Sequence, residues 1–185
     1  EKVVKGDAFL YHWQFCLRDT VCFGRTWNEF LSFCEKLHLY LQTSDWKRVV
    51  VYVHNLSYEF QFMKDFIEFS EIFARDAHKV MKCFSHRYGI EFRCSYFLSN
   101  MSLAKFCENS EDVTHYKLVD TYDYKKLRTP TTPLTDVEQG YCYNDVRGLC
   151  ECIRAARKED NLAEIPLTST GYVRREFRRA MQSDK

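Results

Sequence analysis

The alternation of apolar and polar positions changes period several times along the chain. In residues 8–17 (AFLYHWQFCL), Phe9, Tyr11, Trp13 and Phe15 fall on one face, which predicts a strand. Residues 20–25 are expected to return antiparallel to it, with Arg18-Asp19 in the turn. The period then lengthens. Phe30, Leu31, Cys34, Leu37 and Leu41 recur at helical spacing over 27–42, behind a start signal at Thr26, Asn28 and Glu29. Residues 48–54 (RVVVYVH) form a short β-branched run, expected to be a central, buried strand, and a helix is expected from Ser57 to about Phe69. Strands at 79–84 and 89–98 form a predicted hairpin across Ser85–Gly89, and a short helix near 102–107 leads into an acidic loop (Glu108, Glu111, Asp112) expected to be the least structured stretch.

The second half of the chain carries helices. Thr135-Asp136-Val137-Glu138 reads as a capping box just after Pro130 and Pro133, opening a long helix to about Lys158. A loop with Pro166 precedes a basic helix over 171–181. Strands interleaved with helices, and no internal repeat, predict an α/β domain with a mixed central β-sheet flanked by helices.

Composition sharpens this picture in three places. Apolar residues make up 45% of the 185 positions, with 15 Phe and 12 Tyr against 6 Gly and 3 Pro, which suits one packed domain rather than a disordered chain. A net charge of +1 supplies no global cationic field, so any nucleic-acid contact must come from a local groove. The 9 cysteines are an odd number without a C-x-x-C pair, which favours buried free thiols in a reducing cytoplasm over a zinc ribbon or a disulfide framework. No stretch approaches the ~20 apolar residues of a membrane span, so a cytoplasmic protein without a membrane partner is expected. Glu1 stands where an initiator Met would be, and a fragment of a longer chain is expected.

Two constellations carry candidate chemistry. In His54-Asn55-Leu56-Ser57-Tyr58-Glu59, a carboxylate opens a helix just beyond the carboxyl end of a strand. Ligand sites of open α/β sheets form there, although an acid in a first helical turn also suits the macrodipole. In Tyr141-Cys142-Tyr143-Asn144-Asp145, the phenol and the carboxylate are spaced i, i+4 and project from one helix face. A carboxylate can hold a divalent cation while a phenol orients water. Asp145 sits among Val146, Leu149 and Cys150, which points to a partly buried acid in need of a partner or a metal.

In order and spacing, the two stretches resemble the second and third exonuclease motifs of the family B DNA polymerases. Ser102-Leu103-Ala104-Lys105-Phe106 is similar to a further motif of the protein-primed subgroup, as is Lys117-Leu118-Val119 ahead of Asp123-Tyr124 to its lysine motif. Glu1 falls where the glutamate of the first motif, Asp-x-Glu, would stand, with its Asp just upstream. The segment Ile165–Arg175 also looks like phage-type members at the hand-over to the polymerase half. The chain is thus identified as a member of the protein-primed group, of phage or linear-plasmid type.

That resemblance implies an RNase H-like (DnaQ-type) 3′→5′ exonuclease domain over 1–160, and a linker and basic helix over 161–185 leading to a polymerase domain. It implies two-metal hydrolysis with Mg²⁺ or Mn²⁺. Glu1, Glu59 and Asp145 are then the metal-binding acids, and Tyr141 positions the nucleophile. His54, Asn55, Tyr58, Ser102, Leu103 and Lys117 become the DNA contacts, with Tyr58 able to stack on a base and His54 equally readable as a structural strand-end histidine. The implied partners are a single-stranded DNA 3′ end, the polymerase domain of the same parent chain, and a terminal protein. Arg174, Arg175, Arg178 and Arg179 read either as a solvated face or as a contact with DNA or the polymerase half. Glu59 departs from the family's Asp, and the Asp of the first motif is absent. These departures open an alternative, a catalytically impaired module that holds single-stranded DNA or a terminal protein.

Overall fold

A computed structural model of the chain describes residues 9–116, 122–123, 125–157 and 165–183. A hairpin of β1 (Trp13–Leu17) and β2 (Thr20–Gly24) comes first, and Arg18 takes the left-handed conformation (φ 57) that closes its turn. Helix α1 (Trp27–Leu41) follows, opened by a capping box. The Thr26 hydroxyl accepts from Glu29 N, and the Glu29 carboxylate accepts from Thr26 N at 2.9 Å. Its face of Phe30, Cys34 and Leu37 enters the main core, as the helical spacing predicted.

The principal sheet has four strands, β3 (Val49–Val53), β4 (Glu71–Ala74), β5 (Val80–Ser85) and β6 (Ile90–Cys94), in the order β3-β6-β5-β4. The β3–β6 pair is parallel and the other pairs are antiparallel, so the sheet is mixed, as expected. The expectation of a central β3 is corrected. Among the described residues β3 lies at the sheet edge and is half-buried, while β5 and β6 form the buried centre. Its apolar run is continuous because each face meets a core of its own. Val49, Val51 and Val53 pack against the main cluster, and Tyr52 packs with Leu98, Ile153 and Ile165 on the other side. Gly89, in the β5–β6 turn at φ +60, cannot be another residue, since a Cβ there would lie 2.6 Å from the Thr43 side chain.

Helix α2 (Leu56–Met63) stops earlier than the expected Phe69, because the chain turns back to bury Ile67 and to stack Phe66 on Trp27, ring centroids 4.4 Å apart. Strand β6 likewise ends at Cys94 and not at 98. Its parallel partner ends there, Val53 opposite Cys94, and the chain continues as α3 (Ser95–Ser99). Short α4 (Leu103–Glu108), long α5 (Asp136–Ala156) and α6 (Ser169–Ser183) complete the fold. The expected box at Thr135 and Glu138 opens α5. All nine cysteines are free and six are buried. Among the described residues, no helix is long and apolar enough to cross a membrane.

Candidate active site at the β3–α2 turn and the α5 face

Two elements carry the candidate acids, and α5 lies against β1, β2 and β3. At the carboxyl end of β3, Asn55 adopts the left-handed conformation (φ 63, ψ 51), which asparagine tolerates better than most side chains. Its carbonyl accepts from Tyr58 N at 2.9 Å and starts α2, while its exposed amide makes no capping bond. The Tyr58 ring is 57% exposed and meets Phe62 edge-on, an available flat surface. Just before the turn, His54 Nδ1 lies 3.1 Å from the Oγ of fully buried Ser95, tying the end of β3 to the start of α3.

Glu59 stands one residue after Tyr58 on α2 and is reachable by solvent. Protein nevertheless crowds the carboxyl on most sides, and this desolvation alone raises its pKa above the ordinary glutamate value. No hydrogen bond or ion pair to Glu59 exists among the described residues.

On α5, Tyr141 and Asp145 occupy one face a turn apart, as their spacing required. Tyr141 is only 7% exposed and packs on the Tyr122 ring, with centroids 4.7 Å apart. The Tyr122 hydroxyl in turn meets that of Tyr11, and the Arg128 guanidinium lies 4.3 Å over the Tyr122 ring. Asp145 is half-buried, with Oδ1 fully enclosed.

The remaining expected positions divide. Ser102 caps α4, accepting from Lys105 N at 3.4 Å, and stays exposed. The Leu103 side chain is buried with Cys107, Val113 and Cys152, so it serves packing. Glu1 and Lys117 lie outside the described residues. Among those described, no group of three or more His, Cys, Asp or Glu side chains is arranged to hold a metal ion. Glu59 and Asp145 offer the hard oxygen donors that Mg²⁺ and Mn²⁺ take, but they do not make up a metal centre by themselves.

Two glutamates escaped the sequence reading as ion-pair centres. Glu138 caps α5 and also receives Arg128 (Nη2 at 2.6 Å) and Lys126 (2.9 Å). Bonds from Thr135 N, Lys126 and Arg128 hold its carboxyl down at about 2. Glu151 accepts from Thr114 N (2.7 Å), His115 N (3.0 Å) and Thr114 Oγ1 (3.0 Å), and lies 2.7 Å from His115 Nδ1. Burial opposes its charge, yet these donors, the backbone N–H groups foremost, hold it at about 2. The signal was an acid inside the apolar run Leu149–Ile153. Glu151 thereby anchors residues 114–115, which follow the acidic loop expected to be least structured. A Cβ on Gly148 would come within 2.4 Å of the His115 carbonyl, so α5 and this segment approach as closely as a glycine allows.

The fold is similar to part of the phi29 DNA polymerase. The solved structure is that polymerase complexed with primer-template DNA and incoming nucleotide substrates, and the match has a TM-score of 0.66 at 16% sequence identity. It covers 88% of this chain and 30% of that one, so the chain spans less than a third of the polymerase's length. No family model matches the sequence, and no curated protein is similar to it.

Proposed function

We propose that the chain is a 3′→5′ exonuclease domain with an RNase H-like fold, proofreading for a protein-primed family B DNA polymerase. The observation that carries the reading is the pairing of motif and position. Glu59 follows the carboxyl end of β3, Tyr141 and Asp145 share the α5 face, and both sit in a fold similar to part of a DNA polymerase.

In this reading Glu1 and Asp145 would hold the divalent cations, and Glu59 would hold the second of them through its water shell. These supply, when bound, positive charge for the scissile phosphate and for the oxygen that leaves. Tyr141, kept in one orientation by its packing on Tyr122, aims its hydroxyl at the attacking water. Tyr58 stacks on the terminal base, while Asn55 and Ser102 hydrogen-bond the frayed 3′ end. His54 braces the turn through Ser95 and reaches phosphate from the ring's other edge. Leu103 supports the α4 cap, and Lys117 offsets phosphate charge. The arginines of α6, of which Arg175 and Arg179 pair with Glu176, extend the contact to duplex DNA or to the polymerase domain.

A second reading has its own observation. Glu59 stands where the family motif has Asp, and in this reading the chain is a module that holds single-stranded DNA or a terminal protein without cutting. A gel assay of 5′-labelled single-stranded DNA with Mg²⁺ or Mn²⁺ separates the two. It compares the chain, its Asp145→Ala variant, and a version carrying an added Asp-x ahead of Glu1. Shortening from the 3′ end that disappears in Asp145→Ala supports the exonuclease. Cleavage by the extended version alone assigns the missing donor to the first motif. DNA binding with no cleavage by any version supports the binding module and overturns the exonuclease.

A further inference from the structure

Two of the three half-buried thiols stand together where α5 crosses the β1–β2 hairpin. Cys16, on β1, donates to the Arg18 carbonyl oxygen at 3.4 Å, and Cys150, on α5, donates to the same oxygen at 3.5 Å. Both sulfurs therefore converge on one acceptor, although they are far apart in sequence. Two cations flank the same spot. Arg147 and Arg154 each reach the Arg18 carbonyl at 3.0 Å and the Asp19 carboxylate at 3.0 and 3.1 Å. A thiol in such a place is a better nucleophile than one sealed in a core, because positive charge favours the thiolate and solvent gives an oxidant access. The contact between the two sulfurs pulls the Cys150 thiol below the ordinary cysteine value and pushes the Cys16 thiol above it, and Arg154 and Arg147 add to the pull on Cys150 against the opposing effect of burial.

A second pair provides an internal control. Cys107 and Cys152 lie with their sulfurs 3.7 Å apart, but at 0% and 1% exposure they are closed to any oxidant larger than a few atoms.

We propose that Cys16 and Cys150 form a reversible dithiol–disulfide site that fastens the β1–β2 hairpin to α5 when a small disulfide oxidant such as oxidised glutathione is present. The Cys150 thiolate attacks one sulfur of the oxidant, breaking its S–S bond and releasing one glutathione thiolate, which takes up a proton. Cys16 then gives up its proton and attacks the Cys150 sulfur of the mixed disulfide, expelling the second glutathione. Two electrons and two protons leave the protein dithiol, and two glutathione thiols are formed. The cross-link joins the strand next to the β1–β2 turn to the helix that carries Tyr141 and Asp145. It stands independently of the function proposed above.

The test equilibrates the whole chain in glutathione buffers of increasing oxidised fraction, quenches in acid, unfolds the chain to block every remaining thiol, and maps the tryptic peptides by mass spectrometry. A Cys16–Cys150 linked peptide should rise with the oxidised fraction and vanish on return to excess reduced glutathione. Cys107 and Cys152 should be recovered as blocked thiols throughout. In Cys16→Ser, Cys150 should accumulate as the glutathione mixed disulfide, since nothing resolves it. The thermal midpoint of the oxidised wild type should exceed that of the reduced protein, and this rise should be absent in Cys16→Ser. No linked peptide in the wild type at any buffer ratio would overturn the proposal. So would formation of Cys107–Cys152 ahead of it, or a Cys150 mixed disulfide that persists equally in wild type and Cys16→Ser.

Discussion

The glutamates of this chain follow two opposite designs. Glu138 and Glu151 are buried on α5, and donors hold each carboxyl at about 2: Thr135 N, Arg128 and Lys126 for Glu138, and the N–H groups of Thr114 and His115 with their side chains for Glu151. Glu59 lies at the start of α2 with no such partner, and its surroundings push the proton affinity the other way. The first design fixes structure, because the charge is fully used within the fold. The second leaves a carboxylate with unspent acceptor capacity next to a strand end, the condition under which a bound cation becomes favourable. The sign of its shift and its lack of donors set Glu59 apart from these two supporting acids.

That contrast is open to breakage. Glu138→Ala leaves Arg128, 5% exposed, with an unpaired buried charge. The expected loss is about 3–5 kcal/mol of stability, read by urea denaturation, with DNA cleavage per folded molecule little changed. Glu59→Gln should do the reverse, lowering nuclease activity ~10–100-fold, as for groups that tune a metal site from its outer shell, while the denaturation midpoint holds. A stability loss in Glu59→Gln as large as in Glu138→Ala would erase the distinction.

The acid limb sharpens it further. Since Glu138 and Glu151 are depressed in the folded state, their stabilisation is present in full above the ordinary glutamate range. It is lost as pH falls from about 5 toward about 2, where the folded carboxyls take up protons. Thermal midpoints measured across that window should fall steadily in the wild type and more gently in Glu151→Gln. Smallest of all, Thr26→Ala removes the hydroxyl that caps α1, and should cost about 1 kcal/mol with no change in cleavage.

Much of this organisation was legible in the sequence where the signal is local. The helix start at Thr26, the capping box at Thr135, the Arg18-Asp19 and Ser85–Gly89 turns, and the shared face of Tyr141 and Asp145 all follow from short-range spacing. Features decided by distant partners were not legible. β3 reads as central because both its faces are apolar, and sequence cannot tell two separate cores from two flanking strands. β4 was missed because all four of its residues are exposed on an edge, leaving no alternation to detect. The role of Glu138 beyond its cap, and that of Glu151, depends on Arg128 and on Thr114-His115, pairings with no periodic trace. Of the candidate site, the β3–α2 turn and the α5 pair were readable. The burial of Leu103 depends on how α4 packs against α5 and was not.

The most direct measurement places Asp145→Asn beside Glu151→Gln, both in the version extended by Asp-x. Shortening of 5′-labelled single-stranded DNA and the thermal midpoint are recorded on the same samples in Mn²⁺. The account predicts that Asp145→Asn keeps its midpoint and loses cleavage, whereas Glu151→Gln loses midpoint and cleaves in proportion to the folded fraction. Cleavage that survives in Asp145→Asn, or that falls in both variants only as far as their stability falls, would contradict it.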